Sequence, residues 1–426
     1  MKIPVLLPKI FNYPLTYISN SKDNFQKGDV VEVPFGNSKE IGVVWDKLQT
    51  TDKKIKLRRI NKKIDKINFD KKMIKFIDWF SVYNIVPKGM ALKMCLGGKN
   101  NFIKIENEKE LETLVKKNNY SLNNEQNIAL KDLKKSGDNF NVSVLQGVTG
   151  SGKTIVYFER IKEVLKKKKQ VLVLLPEIFL TNQFEDRFLD FFGSKPAIWH
   201  SKITPKNKKK IWHGVNRNQI KLVIGARSSL FLPFKDLGLI IVDEEHDPSY
   251  KQDEGLIYNA RDMAIARASI EDLPIILVSS VPSLETFNHI KNKKYKHTKI
   301  LKRFNNYPLP ETKIINLSLE SLKNQYIARE TTRIVDEYLK KNEQILFFLN
   351  RRGYAPFLVC KKCGHKHVCP NCSIYLTYHK SIDKLVCHHC GYKRIINKKC
   401  TDNKNNCDFM MYGPGVEKIF DELKVK

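Results

Sequence analysis

Apolar positions along this chain follow two rhythms, and the change between them divides it. From about residue 121 to 289, short β-branched runs alternate with stretches of helical spacing. The runs Val142–Leu145, Val171–Leu175, Leu222–Ile224, Leu239–Val242 and Ile275–Val278 predict strands. Their alternation with helical patterns predicts a parallel sheet covered by helices. Residues 1–97 read differently. Val30–Val33 and Ile41–Trp45 flank a Pro34-Phe35-Gly36-Asn37 turn, and a helix is expected over Lys71–Tyr83 with Phe76, Ile77 and Phe80 on one face. Residues 98–120 are polar and read as a linker. A second α/β unit is expected from Lys296 to 359, with a helix near Ala328–Leu339 and a strand at Ile345–Leu349. A cysteine-rich segment, 360–407, interrupts it, and 408–426 continues it. The fold class is multidomain α/β: a β-rich module, a lobe spanning 121–295, and the start of a second lobe with a metal-binding insertion.

At 426 residues the chain exceeds one ordinary core. Its 76 basic and 45 acidic residues give a net charge of +31. That excess suits a polyanionic partner, although heavy Lys, Asn and Ile usage throughout is equally what AT-rich coding produces. No apolar run reaches the roughly 20 residues needed to span a bilayer. Pro4, Pro8 and Lys9 break up the N-terminal apolar segment, so it does not read as a signal peptide. The expectation is a cytoplasmic protein without a membrane partner.

The run Gly147-Val148-Thr149-Gly150-Ser151-Gly152-Lys153-Thr154 fits G-x-x-x-x-G-K-[ST] at every fixed position. A strand precedes it and a helix over Ile155–Leu165 follows, so glycine amides and a helix N-terminus face one point. ATP is the expected ligand, with Lys153 on the β- and γ-phosphates and Thr154 on Mg²⁺. Asp243-Glu244-Glu245-His246 closes the strand Leu239–Val242. An acidic run alone is compatible with a solvated loop. At the carboxyl end of a strand following a phosphate loop, it predicts Asp243 as a Mg²⁺ ligand and Glu244 as the residue that polarises water. His246 is either a surface histidine or a link to nucleic acid.

Three polar clusters each follow a predicted strand: 175–183, 225–231 (with Arg227) and 279–285. Singly each is no more than a helix cap. Together they fall on one sheet edge, where hydroxyls and amides can track a phosphodiester backbone, and in order they form the motif ladder of a superfamily 2 helicase. The run Leu175-Pro176-Glu177-Ile178 with Leu180-Thr181-Asn182-Gln183, the run Asp243 to Gln252, and Leu349-Asn350-Arg351-Arg352-Gly353-Tyr354-Ala355-Pro356 resemble the PriA family of bacterial replication-restart helicases.

That resemblance covers nearly the whole chain. It implies RecA-like lobes, ATP-dependent 3′→5′ translocation, and DNA partners in the form of replication forks, D-loops and single strands. It also implies primosome proteins and single-strand-binding protein as partners. Gln126 would contribute to adenine recognition. The loop 250–262 resembles the family's aromatic-rich loop, with stacking resting on Tyr250 and Tyr258. Residues 1–97 would capture a DNA 3′ end with Phe11, Asn12, Gly36 and Arg58; without the resemblance, Phe11-Asn12-Tyr13 reads as a packed aromatic turn. Asn12 and Arg58 stand where the family often has Asp and Lys. The linker is too short for the family's winged helix. The chain also ends soon after Tyr412-Gly413-Pro414-Gly415, before the family's later arginine-bearing motifs. A truncated scaffold that binds nucleotide and DNA without unwinding is therefore the rival reading.

Eight of the nine cysteines fall between 360 and 407, and the pairs Cys360/Cys363, Cys369/Cys372 and Cys387/Cys390 have zinc-knuckle spacing. The resemblance implies two Zn²⁺ per chain. Cys369, Cys372, Cys387 and Cys390 would form an inner site, and Cys360, Cys363, Cys400 and Cys407 an outer one. Six residues separate the last two, where the family has two. Histidines 365, 367, 388 and 389 could substitute as ligands, but solvated loop positions are the expected reading.

Overall fold

The computed structural model describes residues 1–19, 24–46, 57–102, 121–176, 182–304, 308, 310–317, 326–355, 357–361, 364–396 and 409–425. The chain divides into two compact units, Met1–Pro308 and Leu309–Lys426.

In the first unit, strands β1 (Lys2–Leu6), β2 (Leu15–Ile18), β3 (Asp29–Phe35), β4 (Ser38–Val44) and β5 (Lys62–Asn68) form an antiparallel sheet in the order β2-β1-β4-β3-β5. The expected helix is present as α1 (Lys71–Tyr83). Asp70 caps it by accepting from Met73 N, and α2 (Lys88–Leu96) follows. Residues 99–102, expected as linker, form a 3₁₀ turn, and 103–120 lie outside the described residues.

After α3 (Asn124–Lys135) come β6 (Asn141–Gly147), α4 (Lys153–Lys166), β7 (Gln170–Leu174), α5 (Asn182–Phe192), β8 (Ala197–Trp199), α6 (Pro205–Asn216), β9 (Leu222–Gly225) and β10 (Leu237–Asp243). The hairpin β11 (Lys251–Gln252) and β12 (Tyr258–Asn259) leads into α7 (Ala260–Glu271), β13 (Pro274–Ser279), α8 (Leu284–Lys291) and β14 (Lys296–Ile300). The seven long strands make one parallel sheet in the order β14-β6-β13-β10-β7-β9-β8. β7 and β10 are buried along their whole length, as a sheet covered on both faces requires.

β14 corrects the expected domain boundary. Residues 296–300 pair in parallel with β6 and close the first sheet instead of opening a second lobe. Lys296-His297-Thr298-Lys299-Ile300 sits at a sheet edge, so only alternate residues are buried and the segment lacks the apolar run of its neighbours.

Helix α1 joins the module to the lobe. Phe76 and Phe80 pack on Phe231, and Phe80 packs on Tyr258. The buried Arg267 guanidinium lies 5.7 Å from the Phe76 ring, and Lys72 Nζ donates to Glu271 O at 2.7 Å. One apolar core runs through both parts.

The second unit holds α9 (Arg329–Lys340), the antiparallel pair β15 (Phe357–Cys360) with β19 (Phe409–Tyr412), a three-stranded antiparallel ribbon β16 (Thr377–His379), β17 (Lys384–Val386) and β18 (Lys393–Ile395), and α10 (Val416–Val425). The expected strand Ile345–Leu349 is not hydrogen-bonded into any sheet, and Leu346 and Phe348 are 87% and 84% exposed. An apolar run becomes a strand only where a neighbour takes its N–H and C=O groups, and no described segment does so here.

Candidate functional site

Sheet order brings the two acidic and glycine-rich motifs together. β6 ends in the phosphate loop, β10 ends in Asp243, and β13 alone lies between them. Residues some ninety positions apart thus sit two strand spacings apart, roughly 10 Å.

The loop has the geometry of an anion cradle. Gly150 and Gly152 adopt φ of 81° and 78°, open to glycine and costly to other residues. A Cβ on Gly147 would meet Ser151 Oγ at 2.5 Å, and one on Gly152 would strike the Gln126 amide. Ser151 Oγ is buried with no partner among the described residues. Lys153 Nζ folds back on Gly147 O at 2.7 Å, and burial lowers its pKa against the pull of Glu244 and Asp243. These residues fit a nucleotide's phosphates: an unpartnered hydroxyl and a folded lysine lie beside glycines that nothing larger can replace.

Asp243 is 8% exposed, and burial pushes its pKa up to about 6. Two donors hold the carboxylate: Glu244 N on Oδ1 at 3.0 Å and the wholly buried Tyr157 hydroxyl on Oδ2 at 2.8 Å. Tyr157 comes from α4, one turn past the phosphate loop. Sequence reasoning missed it, because an aromatic on the buried face of a helix carries no mark of function. Glu244 holds φ of 48°, a left-handed value unusual for this residue. Its carboxylate lies 3.6 Å from His246 Nδ1, and His246 in turn meets Ser279 Oγ at 2.8 Å. A Mg²⁺ bound here would neutralise phosphate charge, and the Asp243 carboxylate at the end of β10 offers it an oxygen.

The third carboxylate, Glu245, turns away. Fully buried, it accepts from Arg261 Nη1 (3.2 Å), Ser283 N (2.7 Å), Ser283 Oγ (3.1 Å) and Thr286 Oγ1 (3.0 Å), tying β10 to the starts of α7 and α8.

Gln126 does not point at an empty base site. Its Oε1 accepts from Asn123 N and its Nε2 donates to Ser151 O at 2.9 Å, so it braces the phosphate loop at 2% exposure. Tyr250 and Tyr258 require correction. They are 2% and 3% exposed and offer no face to a base. The Tyr250 hydroxyl donates to Leu174 O and Asp243 O, and Tyr258 packs on Phe80 and Phe231. α1 covers the Tyr258 ring through Phe80, and the Tyr250 hydroxyl is held by carbonyls at the ends of β7 and β10.

Two of the three polar clusters meet, and 279–285 takes no part in the pocket they line. Pro176, Ser201, Arg227, Ser228, Ser249 and Gln252 line one pocket of about 240 Å³, where Arg227 Nη1 donates to Lys251 O at 2.6 Å. Residues 177–181 lie outside the described residues. In the module, Arg58 Nη1 donates to Gly36 O at 2.6 Å and Phe11 packs edge-on to Phe35, so Phe11, Gly36 and Arg58 come together. Gly36, at φ of 57°, has open space where a side chain would stand. Asn12 faces α2 instead, its Oδ1 accepting from Lys88 N at 3.2 Å.

In the second unit the sulfurs of Cys369, Cys372, Cys387 and Cys390 lie within 4.8 Å of one another, with pairs at 3.3 to 3.7 Å. Tetrahedral zinc–thiolate bonds require about 3.8 Å between sulfurs. The set fits zinc. Of the expected outer site, only Cys360 is described, buried at the end of β15; Cys363, Cys400 and Cys407 lie outside the described residues. No histidine joins the described cluster: His367 Nδ1 meets Arg394 Nη2 at 3.0 Å and His388 Nε2 meets His379 Nε2 at 2.9 Å. Among the described residues no helix is long and apolar enough to cross a membrane.

Comparison with known proteins bears on the same regions. Residues 3–97 match the 3′ DNA-binding domain of PriA, 369–394 match the cysteine-rich region of the PriA DNA helicase, and 119–302 match the res subunit of type III restriction enzymes. The replication restart protein PriA of Rickettsia conorii is 41% identical over 99% of this chain, which spans 64% of that relative's length. The Bacillus subtilis protein of that name is 37% identical over 71% of this chain and 38% of its own length. Among solved structures, RecG bound to a three-way DNA junction is similar at a TM-score of 0.34 and 21% identity, covering 52% of this chain and 31% of that one. On its matched domains and its 41% identity to the Rickettsia conorii protein across 99% of its own residues, the chain belongs to the PriA family of replication restart proteins.

Proposed function

We propose that this chain is an ATP-dependent 3′→5′ DNA helicase or translocase of superfamily 2, acting in the cytoplasm on stalled replication forks, D-loops and exposed single strands. The observation that carries the reading is the placement of the phosphate loop and Asp243 on either side of a single intervening strand, in the same compact unit as a module that matches a 3′ DNA-binding domain. Lys153 and Thr154 bind the nucleotide's phosphates and Mg²⁺, Asp243 completes the metal site, and Glu244 orients the attacking water. Phe11, Gly36 and Arg58 receive the 3′ end, and Arg227 contacts the strand. Two zinc ions hold the cysteine-rich segment. Primosome proteins and single-strand-binding protein are its partners.

A second reading, a fork-binding scaffold that binds nucleotide without unwinding, is favoured by the unpaired Ile345–Leu349 segment. Among the described residues, the second unit has no parallel sheet on which a motor lobe is built. Forked DNA with a labelled strand separates the two. A motor hydrolyses ATP faster with DNA and releases the strand, and Lys153→Ala abolishes both while fork binding persists. DNA-stimulated turnover that survives Lys153→Ala removes the phosphate loop from the reaction; nucleotide and fork binding without strand release leaves the scaffold.

A further inference from the structure

Beyond its glycines, the phosphate loop is braced by a segment no motif marks. From the last residue of β14 onward, residues 300–304 run alongside the loop's outer side. Val148 N donates to Ile300 O at 3.2 Å, and Phe304 N donates to Gly150 O at 2.9 Å. Between these, Arg303 Nε donates to Thr149 O at 3.1 Å. The Arg303 side chain lies 3.9 Å from where a Gly150 Cβ would stand. Glu125, beside Gln126 at the start of α3, accepts from Leu301 N at 2.8 Å and Lys302 N at 3.0 Å through one oxygen.

Apolar burial does not hold this segment. Leu301 is 67% exposed and Phe304 48%. Its hydrogen bonds hold it, and they engage particular groups of the loop. An anion cradle needs backbone N–H groups turned inward, which turns the carbonyls outward, where each must find a donor. Arg303 and Phe304 supply donors to two successive carbonyls at the loop's tip, Thr149 and Gly150. The amides of Thr149, Gly150, Gly152 and Lys153 donate to no group among the described residues, which leaves them for phosphate oxygens. Arg303 also reaches onward: its Nη1 lies 3.4 Å from the carbonyl of Pro308, the last residue of the first unit.

We propose that residues 300–304 are a positioning strap for the phosphate loop, with Arg303 its central side chain, so that nucleotide binding and the order of this strap are thermodynamically linked. The inference rests on the reading of 147–154 as a nucleotide site. Arg303 acts through the loop and not on the reacting atoms. It fastens the tip carbonyls outward, so a phosphate meets amides already in place. Linkage is reciprocal: if the strap favours the nucleotide-binding form of the loop, bound nucleotide must favour the strap.

The test uses the full chain and the fluorescent ligand N-methylanthraniloyl-ADP with Mg²⁺, measured at equilibrium. Arg303→Ala should weaken binding roughly three- to ten-fold, the range of one lost hydrogen bond, with the melting temperature unchanged because the side chain lies at the surface. Arg303→Lys, which keeps a donor for Thr149 O, should recover part of the loss. In the wild-type chain, saturating Mg²⁺–ADP should slow hydrogen exchange at the amides of Leu301, Lys302 and Phe304, and Arg303→Ala should diminish that protection. Wild-type binding with an unchanged affinity in Arg303→Ala, or exchange at 301–304 that ignores nucleotide, overturns the strap alone. Failure of the wild-type chain to bind the ligand overturns the nucleotide site itself and the strap with it.

Discussion

Tyr157→Phe keeps the ring and its 5.2 Å contact with Phe158 and removes the hydroxyl that donates to Asp243 Oδ2 and also hydrogen-bonds the Thr154 side chain. Asp243 already ionises with difficulty. Its folded pKa of about 6 stands above the unfolded value of 3.8, so the proton is bound more tightly in the folded chain. The stabilisation from that group is complete below the unfolded pKa and is lost as pH rises through about 6. A shift of that size amounts to about 3 kcal/mol at pH 8, taken to order of magnitude. Tyr157 limits the loss by donating to the ionised form. Without it, a buried anionic oxygen has one donor fewer, at a cost of about 1.5–3 kcal/mol when charged and much less when protonated. The variant should therefore be close to wild type near pH 5 and clearly less stable near pH 8, in nucleotide-free protein without Mg²⁺. Denaturant unfolding of both proteins at the two pH values is the assay; comparing their difference cancels every other titrating group. Equal destabilisation at both pH values would show that the hydroxyl merely packs, and no destabilisation at either would remove the bond.

Two further predictions concern metal and DNA. Purified chain should contain two zinc ions, and Cys387→Ser should lose the one held by the inner cluster and loosen β16–β18, read by metal analysis and circular dichroism; zinc content unaffected by Cys387→Ser would take that cluster out of metal binding. DNA binding should weaken steeply with salt and favour an accessible 3′ end over a blocked one, and Arg58→Ala should erase that preference while general affinity persists. Equal binding of both ends by the wild-type chain would reduce residues 1–97 to packing.

What the sequence discloses depends on how local the physics is. Gly147–Thr154 is legible because a phosphate cradle needs glycines and a lysine at fixed nearby positions, and Lys71–Tyr83 because one helix face repeats within a few residues. Tyr157 and Arg303 were not legible. Their partners lie 86 and 154 positions away, and only the strand order brings them together. Tyr250 and Tyr258 misled because a tyrosine suits a base and a core equally well, and deciding neighbours lie far off in sequence: Phe80 of α1 for Tyr258 and Leu174 for Tyr250. Ile345–Leu349 misled for the opposite reason: strand propensity is a property of the segment, but a strand is a property of a pair.

The apolar core that passes through α1 also decides what can be separated. Phe76, Phe80, Phe231 and Tyr258 form one cluster of rings, and Arg267 is sealed between Phe76 and Phe234. A cut after residue 97 would leave two raw aromatic faces and a stranded guanidinium. The end-binding module is therefore not a portable cassette. Its sheet and the parallel sheet rest on that one core, so Phe11 and Asp243 are held at a fixed span within a single compact unit.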